Sequence, residues 1–397
     1  MTKQYIGIGM FFLILLLSCG ERSANTSKDN IPNRHQSSSK ALPTEVLSPK
    51  NNLITAQKVA LGKLLFYDPI LSGNKDVACA TCHHTSNGFA ESRDLSIGLN
   101  GKGFGSSRVF LSNNLIPIVK KNAPTILNSA FNGMDSLGHY VPDSAAMFWD
   151  LRVKSLEAQA LEPIKAMEEM RGLEYSEDEI LEEVVYRLLH NETYRSLFTD
   201  AFPEEQESIK TENIAKAIAA YERTILGNKS RFDAYKRGDR NALSESEKDG
   251  FTRFVEVGCP NCHNGPMFSD YKIHVLGIPD NPKLKERDFG FEDGNGFRTP
   301  TLRNLRFTFP NMHNGSLKSV KEILEFYEDI SQGKSRNPNI QIKDIDPLAK
   351  SLTIRVKDFG PITNFLLSLN DESHDKSVPA FVPSGLEVGG TIGLTQL

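Results

Sequence analysis

Apolar positions recur at helical spacing in several stretches of the chain. Ala56 to Tyr67 (AQKVALGKLLFY) predicts one amphipathic helix. Ser244-Glu-Ser-Glu247 has the pattern of a capping box and predicts the start of another, carrying Phe251, Phe254 and Val255. Each runs through a short loop into the same signature, Cys79-x-x-Cys82-His83 and Cys259-x-x-Cys262-His263. Between these motifs, Glu177 to His190 and Thr211 to Leu226 carry apolar stripes, and Gly227 reads as a C-cap for the second stripe. Ser319 to Glu328 and Pro361 to Leu369 also predict helix. Strand-like alternation is sparse. The expected fold class is therefore mainly α, two similar halves with long irregular loops.

The two ends of the chain read differently. Lys3 followed by the apolar run Ile6 to Leu17 has the form of an export signal, too short to span a bilayer comfortably. Leu16-Leu17-Ser18-Cys19-Gly20 resembles a bacterial lipobox, which would make Cys19 the lipidated first residue of a periplasmic, membrane-anchored lipoprotein. The alternative is an ordinary signal peptide cut elsewhere. Residues 21–48 are rich in Ser, Asn, Lys and Pro and read as a disordered tether. The Gly- and Pro-containing stretch 371–397 reads as a loose tail. No later segment approaches the apolar length of a transmembrane helix.

Composition narrows the function classes. The net charge of 46 − 50 = −4 argues against nucleic acid as a partner. Five cysteines in 397 residues are too few for a disulfide-stapled scaffold.

Cys-x-x-Cys-His is the signature of covalent c-type haem attachment. Two thiols three positions apart add to the two vinyl groups on one porphyrin edge, and the following imidazole sits beneath the iron. The alternatives are a redox-active dithiol and a four-cysteine zinc site. Zinc ribbons usually bring their pairs much closer in sequence than 259 − 79 = 180 positions. His84 cannot address the same iron as its neighbour His83 and is expected at the surface.

Several ordered segments then carry a family resemblance. They are LGKLLFYDPILS (61–72), NAPTILNSAFN (122–132), FWDLRVKSLEAQALEPI (148–164), NIAKAIAAYERTI (213–225), SRFDAYKRGD (230–239) and TPTLRNLRFTFPNMHNGS (299–316). Over roughly Leu53 to Leu369 the chain resembles the bacterial di-haem cytochrome c peroxidases and their MauG-type relatives. The resemblance implies two cytochrome c-type domains, a peroxidatic one over 49–226 and an electron-transfer one over 227–370, after a signal peptide at 1–19 and a tether at 20–48. It implies two covalent haems ligated by His83 and His263, with Trp149 between them. It implies Gln159 and the catalytic Glu169 in the distal pocket, with Pro163 nearby. It also implies a calcium ion held by Asn122, Thr308 and Pro310.

Two positions depart from the peroxidases that need reductive activation. Where those supply a distal histidine, the stretch SIGLNGKGFG (96–105) has Leu99, so the first iron is expected to be open. His139, in an apparent insertion at 133–146, is the alternative ligand, although such an insert reads first as a surface loop. Where they supply a methionine to the second iron, this chain has Tyr327, as MauG-type proteins do. Met312 and Met267 are the alternatives.

The expected activity is reduction of hydrogen peroxide with electrons from a small cytochrome c or cupredoxin. Oxidation of residues on a partner protein, and simple electron carriage, are the competing readings. Monomer and homodimer are both compatible with the sequence.

Overall fold

The computed structural model describes Met1 and residues 40–112 and 114–393. The export signal, Cys19 and the tether up to residue 39 lie outside the described residues. Among the described residues the helices are α1 (Ala56–Tyr67), α2 (Cys79–Cys82), α3 (Leu156–Lys165), α4 (Glu177–Leu189), α5 (Glu192–Ala201), α6 (Thr211–Glu222), α7 (Arg231–Lys236), α8 (Glu245–Glu256), α9 (Val320–Ser331), α10 (Pro347–Lys350) and α11 (Val356–Leu367). Among the described residues strands occur only as three short antiparallel pairs: β1 (Gly101–Lys102) with β2 (Val109–Phe110), β3 (Ala146–Met147) with β4 (Val153–Lys154), and β5 (Ile273–His274) with β6 (Phe297–Arg298). The mainly helical expectation holds.

Two apolar cores organise these helices. Leu61, Leu65 and Phe66 of α1 pack with Ile164, Ile180, Ile214 and Ile218 in the first. The second is built on phenylalanine. Phe365 lies 5.0 to 5.8 Å, ring centre to ring centre, from Phe232, Phe251, Phe254 and Phe268. Burying one such ring contributes roughly 1.5–3 kcal/mol.

The cores repeat one device. A Cβ on Gly62 would lie 1.9 Å from the Ala217 carbonyl oxygen, and one on Gly250 would lie 2.0 Å from that of Pro361. In each half the helix before the haem motif (α1, α8) therefore touches the helix that closes the half (α6, α11) backbone to backbone, which only glycine allows.

The helix starts fall where expected, with the Ser244–Glu247 capping box as read and Ser319 capping α9; α4 adds a second capping box, Ser176 with Glu179. Other boundaries differ. Helix α6 ends at Glu222 with Arg223, still in helical geometry and bonded to Ala219 O at 3.1 Å, as its C-cap, so Gly227 is not the C-cap. Gly227 lies beyond the helix, where the Asn128 amide donates to its carbonyl at 3.0 Å and accepts from its N–H at 2.8 Å. Helix α11 begins at Val356, where Asp358 accepts the Arg355 N–H at 3.0 Å and caps the turn ahead of Pro361. The helices α2, α3, α5, α7 and α10 are additional to those expected.

Both expected loose segments are ordered where they are described. Leu42 is buried with Phe131, Met134 and Met267, and its N–H donates to Asp233 at 2.9 Å, so the chain is anchored from residue 40. The stretch 371–393 folds back on the first half. Ser384 bonds Asp68 through its hydroxyl at 2.6 Å, Gly389 N–H donates to Tyr67 O, Val382 is buried, and Thr391 Oγ1 donates to Gly101 O at 2.6 Å. Small residues read as loop by composition here supply backbone bonds instead.

Candidate functional site

The first haem motif forms the short helix α2, with His83 as its C-cap. Thr81, between the two cysteines, accepts the Ala78 N–H and donates to Gly389 O at 2.8 Å, which ties the motif to the returning tail. His83 Nδ1 lies 3.1 Å from Phe89 O, and His263 Nδ1 lies 2.9 Å from Phe268 O. A carbonyl at Nδ1 puts the proton there and leaves Nε2 as the lone-pair nitrogen, as a metal-ligating imidazole requires. Burial lowers the pKa of both rings, which favours the neutral ligand form. Phe89 and Phe268 both adopt left-handed backbone, at φ 55° and 51°. Such strain in a bulky residue, repeated at the carbonyl that orients each histidine, marks a constrained site.

The donor sets fit attached haem and exclude the two alternatives. Among the described residues, the one place where three metal-binding groups converge is Cys262, Asp270 and His274. The four cysteines do not meet, so there is no four-cysteine zinc site. Burial pushes the Cys79 and Cys259 thiols up to about 12, and Cys82 is also raised. These shifts run opposite to the lowered thiolate pKa on which a redox dithiol relies.

A cavity lined by Cys259, Cys262, His263, Leu324, Tyr327 and Trp149 surrounds the second motif. In the same lining, Arg298 Nε and Asn311 Nδ2 are buried without hydrogen-bond partners. An apolar chamber with orphaned donors at its margin suits a macrocycle bearing two carboxylates.

The predicted residues fall into two groups. Glu169 sits in a π-helical turn, Met167–Arg171, following α3. Arg171 holds the turn by donating to Lys165 O at 2.7 Å and Tyr175 O at 2.6 Å. Glu169 acts electrostatically on both Cys79 and Cys82, which puts it with the first motif. Part of its surface faces open space, yet protein encloses the carboxyl. That burial, reinforced by Glu168 and partly offset by Arg152 and Lys121, raises its pKa to about 7. Gln159 rides on α3, which Glu157 fixes to α6 through a bidentate pair with Arg223 at 2.6 and 2.9 Å. The Gln159 Oε1 is buried and without a partner. Leu99 is fully buried, and its N–H donates to Glu169 O at 3.2 Å.

Trp149 belongs to the second cavity. It tops the β3–β4 hairpin, donates from Nε1 to Asn122 O at 3.0 Å, and accepts at its own carbonyl from Arg298 N at 2.8 Å. Tyr327 projects from α9 into the same cavity, where Cys262 and Cys259 both act on it, and burial raises its hydroxyl pKa. Met312 and Met267 also line this cavity, but Met267 is packed into the Leu42 cluster. Asn122 and Thr308 are buried in its wall. The Asn122 Nδ2 donates to Arg93 O and Asp94 O at 2.7 and 3.3 Å. Pro310 follows a cis peptide bond.

His139 is exposed and pairs with Asp135, as a surface loop should. His84 is not at the surface. It is buried against Phe104, with Nδ1 2.7 Å from Ser86 Oγ. Residues with no warning in the sequence include Glu91 and Glu222, buried carboxyls whose pKa burial raises to about 8, beside Cys82 and Cys79 respectively.

A mainly helical chain with two such motifs, each with its histidine oriented by a strained carbonyl, defines a c-type di-haem protein. The chain belongs to the di-haem cytochrome c peroxidase family, whose sequence model matches residues 56–241. It is 33% identical over 306 residues to methylamine utilization protein MauG of Methylorubrum extorquens, covering 76% of each chain. It is 33% identical over 324 residues to cytochrome c551 peroxidase of Nitrosomonas europaea, covering 80% of this chain and 85% of that one. Among solved structures it is similar to a MauG-like protein associated with microbial copper homeostasis, with TM-score 0.67, 26% identity, and 84% and 95% of the two chains covered. The protein is an oxidoreductase, and its family implies two c-type haems. No helix among the described residues is long and apolar enough to cross a membrane.

Proposed function

We propose that the protein reduces hydrogen peroxide to water at the first motif (H2O2 + 2 e⁻ + 2 H⁺ → 2 H2O), drawing electrons through the second from a small periplasmic cytochrome c or cupredoxin. The observation that carries this reading is the enclosed Glu169 carboxyl, raised to about 7 and close enough to act electrostatically on both cysteines of the first motif. A haem bound through Cys79, Cys82 and His83 supplies the redox chemistry that cleaves the O–O bond. Glu169 accepts the proton from one peroxide oxygen at its carboxylate and returns it to the leaving oxygen, so that water departs. The orphaned Gln159 Oε1 accepts from the bound peroxide and orients it. Leu99, buried beside Glu169, puts an apolar side chain that cannot ligate metal where a distal histidine would stand, and would leave that side of a bound haem to the substrate.

Trp149, pinned at both its indole nitrogen and its carbonyl, carries electrons between the halves. In this reading residues 49–226 and 227–370 are the two haem domains. Asn122, Thr308 and Pro310 hold a calcium ion by amide and carbonyl oxygen, the ligand type of a hard cation. Cys19 carries the lipid that keeps the protein at the periplasmic face of a membrane.

Tyr327 favours a second reading. Its hydroxyl, without a protein hydrogen-bond partner, faces the two cysteines of the second motif, and an oxygen ligand there would stabilise higher oxidation states. That suits a MauG-type enzyme that oxidises residues of a partner protein. Peroxide consumption with reduced cytochrome c as donor separates the two. Rapid turnover supports the first reading, whereas a long-lived oxidised form with poor turnover sinks it and supports the second.

A further inference from the structure

The second cavity contains a side-chain group that the proposed peroxide chemistry does not use. His274, in β5, lies between two carboxylates, with Nδ1 2.7 Å from Asp346 Oδ2 and Nε2 3.1 Å from Asp270 Oδ2. Each acid is fixed by a backbone donor on its other oxygen. Asp346 Oδ1 accepts the Leu348 N–H at 2.8 Å, capping α10, and Asp270 Oδ1 accepts the Lys272 N–H at 3.0 Å. His274 is buried in the cavity wall with Nδ1 4.0 Å from Cys262 Sγ.

Cys262, Asp270 and His274 would together suit a transition metal, with ligand atoms within 4.8 Å of one another. Thioether formation takes the sulfur out of that set and leaves acid, base and acid. With a carboxylate at each nitrogen, at 2.7 and 3.1 Å, the ring keeps both protons, and its pKa is raised first by Asp270 and also by Asp346; the part that the free Cys262 thiol adds goes with thioether formation. The group then sums to (−1) + (+1) + (−1) = −1. It also acts electrostatically on His263, through Asp270 and His274.

We propose that Asp270, His274 and Asp346 are positioning residues for the second haem, a fixed negative triad at its cysteine-bearing edge that holds its reduction potential down. The proposal rests on the reading of Cys259-x-x-Cys262-His263 as a haem site. Oxidised haem carries one more positive charge than reduced haem, so a buried negative charge beside it favours the oxidised form. Asp346 also seats the strap above the edge. Its N–H donates to Val275 O at 2.9 Å, and Leu348, Ala349 and Leu352 beyond it line the cavity.

The test is a spectroelectrochemical titration of the full-length holoprotein as wild type, D346N, D270N, D346E and H274Q, with intact mass counting the haems on each. Asparagine keeps the α10 cap and removes only the charge. In D346N and D270N one of the two midpoint potentials should rise while the other stays, D346E should match wild type, and H274Q should not rise. The idea is overturned if D346N and D270N leave both potentials unchanged, move both equally or lower the one. If H274Q does not accumulate, the aspartate variants decide alone. A wild type carrying a single haem by mass would overturn the haem reading itself, a result distinct from unmoved potentials on a two-haem protein.

Discussion

Replacing Glu169 by Gln removes one ionisable proton and little else. The folded protein raises this carboxyl from 4.5 to about 7. At about 1.36 kcal/mol per pH unit, a shift of 7 − 4.5 = 2.5 corresponds to roughly 3 kcal/mol of preference for the protonated form. Because the folded pKa lies above the unfolded one, that stabilisation is complete below about pH 4.5 and is lost as pH rises through about 7. Glutamine is neutral throughout. In denaturant titrations E169Q should therefore gain on wild type by up to roughly 3 kcal/mol between pH 4.5 and pH 8. Activity should move the opposite way. Accepting a proton from peroxide needs the carboxylate, so wild-type kcat/KM should rise with pH through about 7. E169Q should lose that limb together with about 10²- to 10⁴-fold in rate. Stopped-flow oxidation of reduced cytochrome c by peroxide, on protein with both haems counted by mass, reads both quantities. A variant within tenfold of wild type that keeps the same pH limb would refute the role given to Glu169.

Three further changes test other links. Tyr327→Phe should alter the absorption spectrum of one haem and leave the haem count at two, and an unchanged spectrum would remove Tyr327 as a ligand. Gly250→Ala puts a methyl 2.0 Å from Pro361 O, so α8 and α11 must separate. Thermal unfolding should show a loss of about 1–3 kcal/mol or more, and a loss under 0.5 kcal/mol would mean the contact yields easily. Arg303→Met leaves Asp233 buried without the bidentate partner it has at 2.8 and 3.0 Å. A destabilisation of about 3–5 kcal/mol is expected in denaturant titration, since an uncompensated buried charge remains.

What could be read in advance was local in sequence. Ser244 with Glu247 announces a helix start because cap and backbone lie three residues apart. Both haem motifs were legible because the porphyrin dictates their spacing. The roles given to Glu169 and Gln159 rest on resemblance, since a carboxylate after a helix normally reads as a solvated charge. Other features depend on distant partners. Gly227 is held by the Asn128 amide, 99 positions away in sequence, and His84 is buried because Phe104 covers it. The left-handed Phe89 and Phe268 leave no compositional mark, because their strain is imposed by surroundings that no short window contains. One overlooked signal was present. NAPTILNSAF (122–131) and RTPTLRNLRF (298–307) echo each other, and both place an asparagine, Asn128 or Asn304, at φ 64°.

The returning segment 371–393 affects how the protein is made. Thr81, set between the two cysteines that take the first haem, is held by Gly389, and Asp68 just after α1 is held by Ser384. The half synthesised first therefore lacks these bonds until the segment 371–393 has been made. The second core, by contrast, draws only on residues from 232 to 369. A truncation that removes segment 371–393 is expected to loosen the first Cys-x-x-Cys-His motif through the loss of the Gly389 carbonyl that Thr81 bonds.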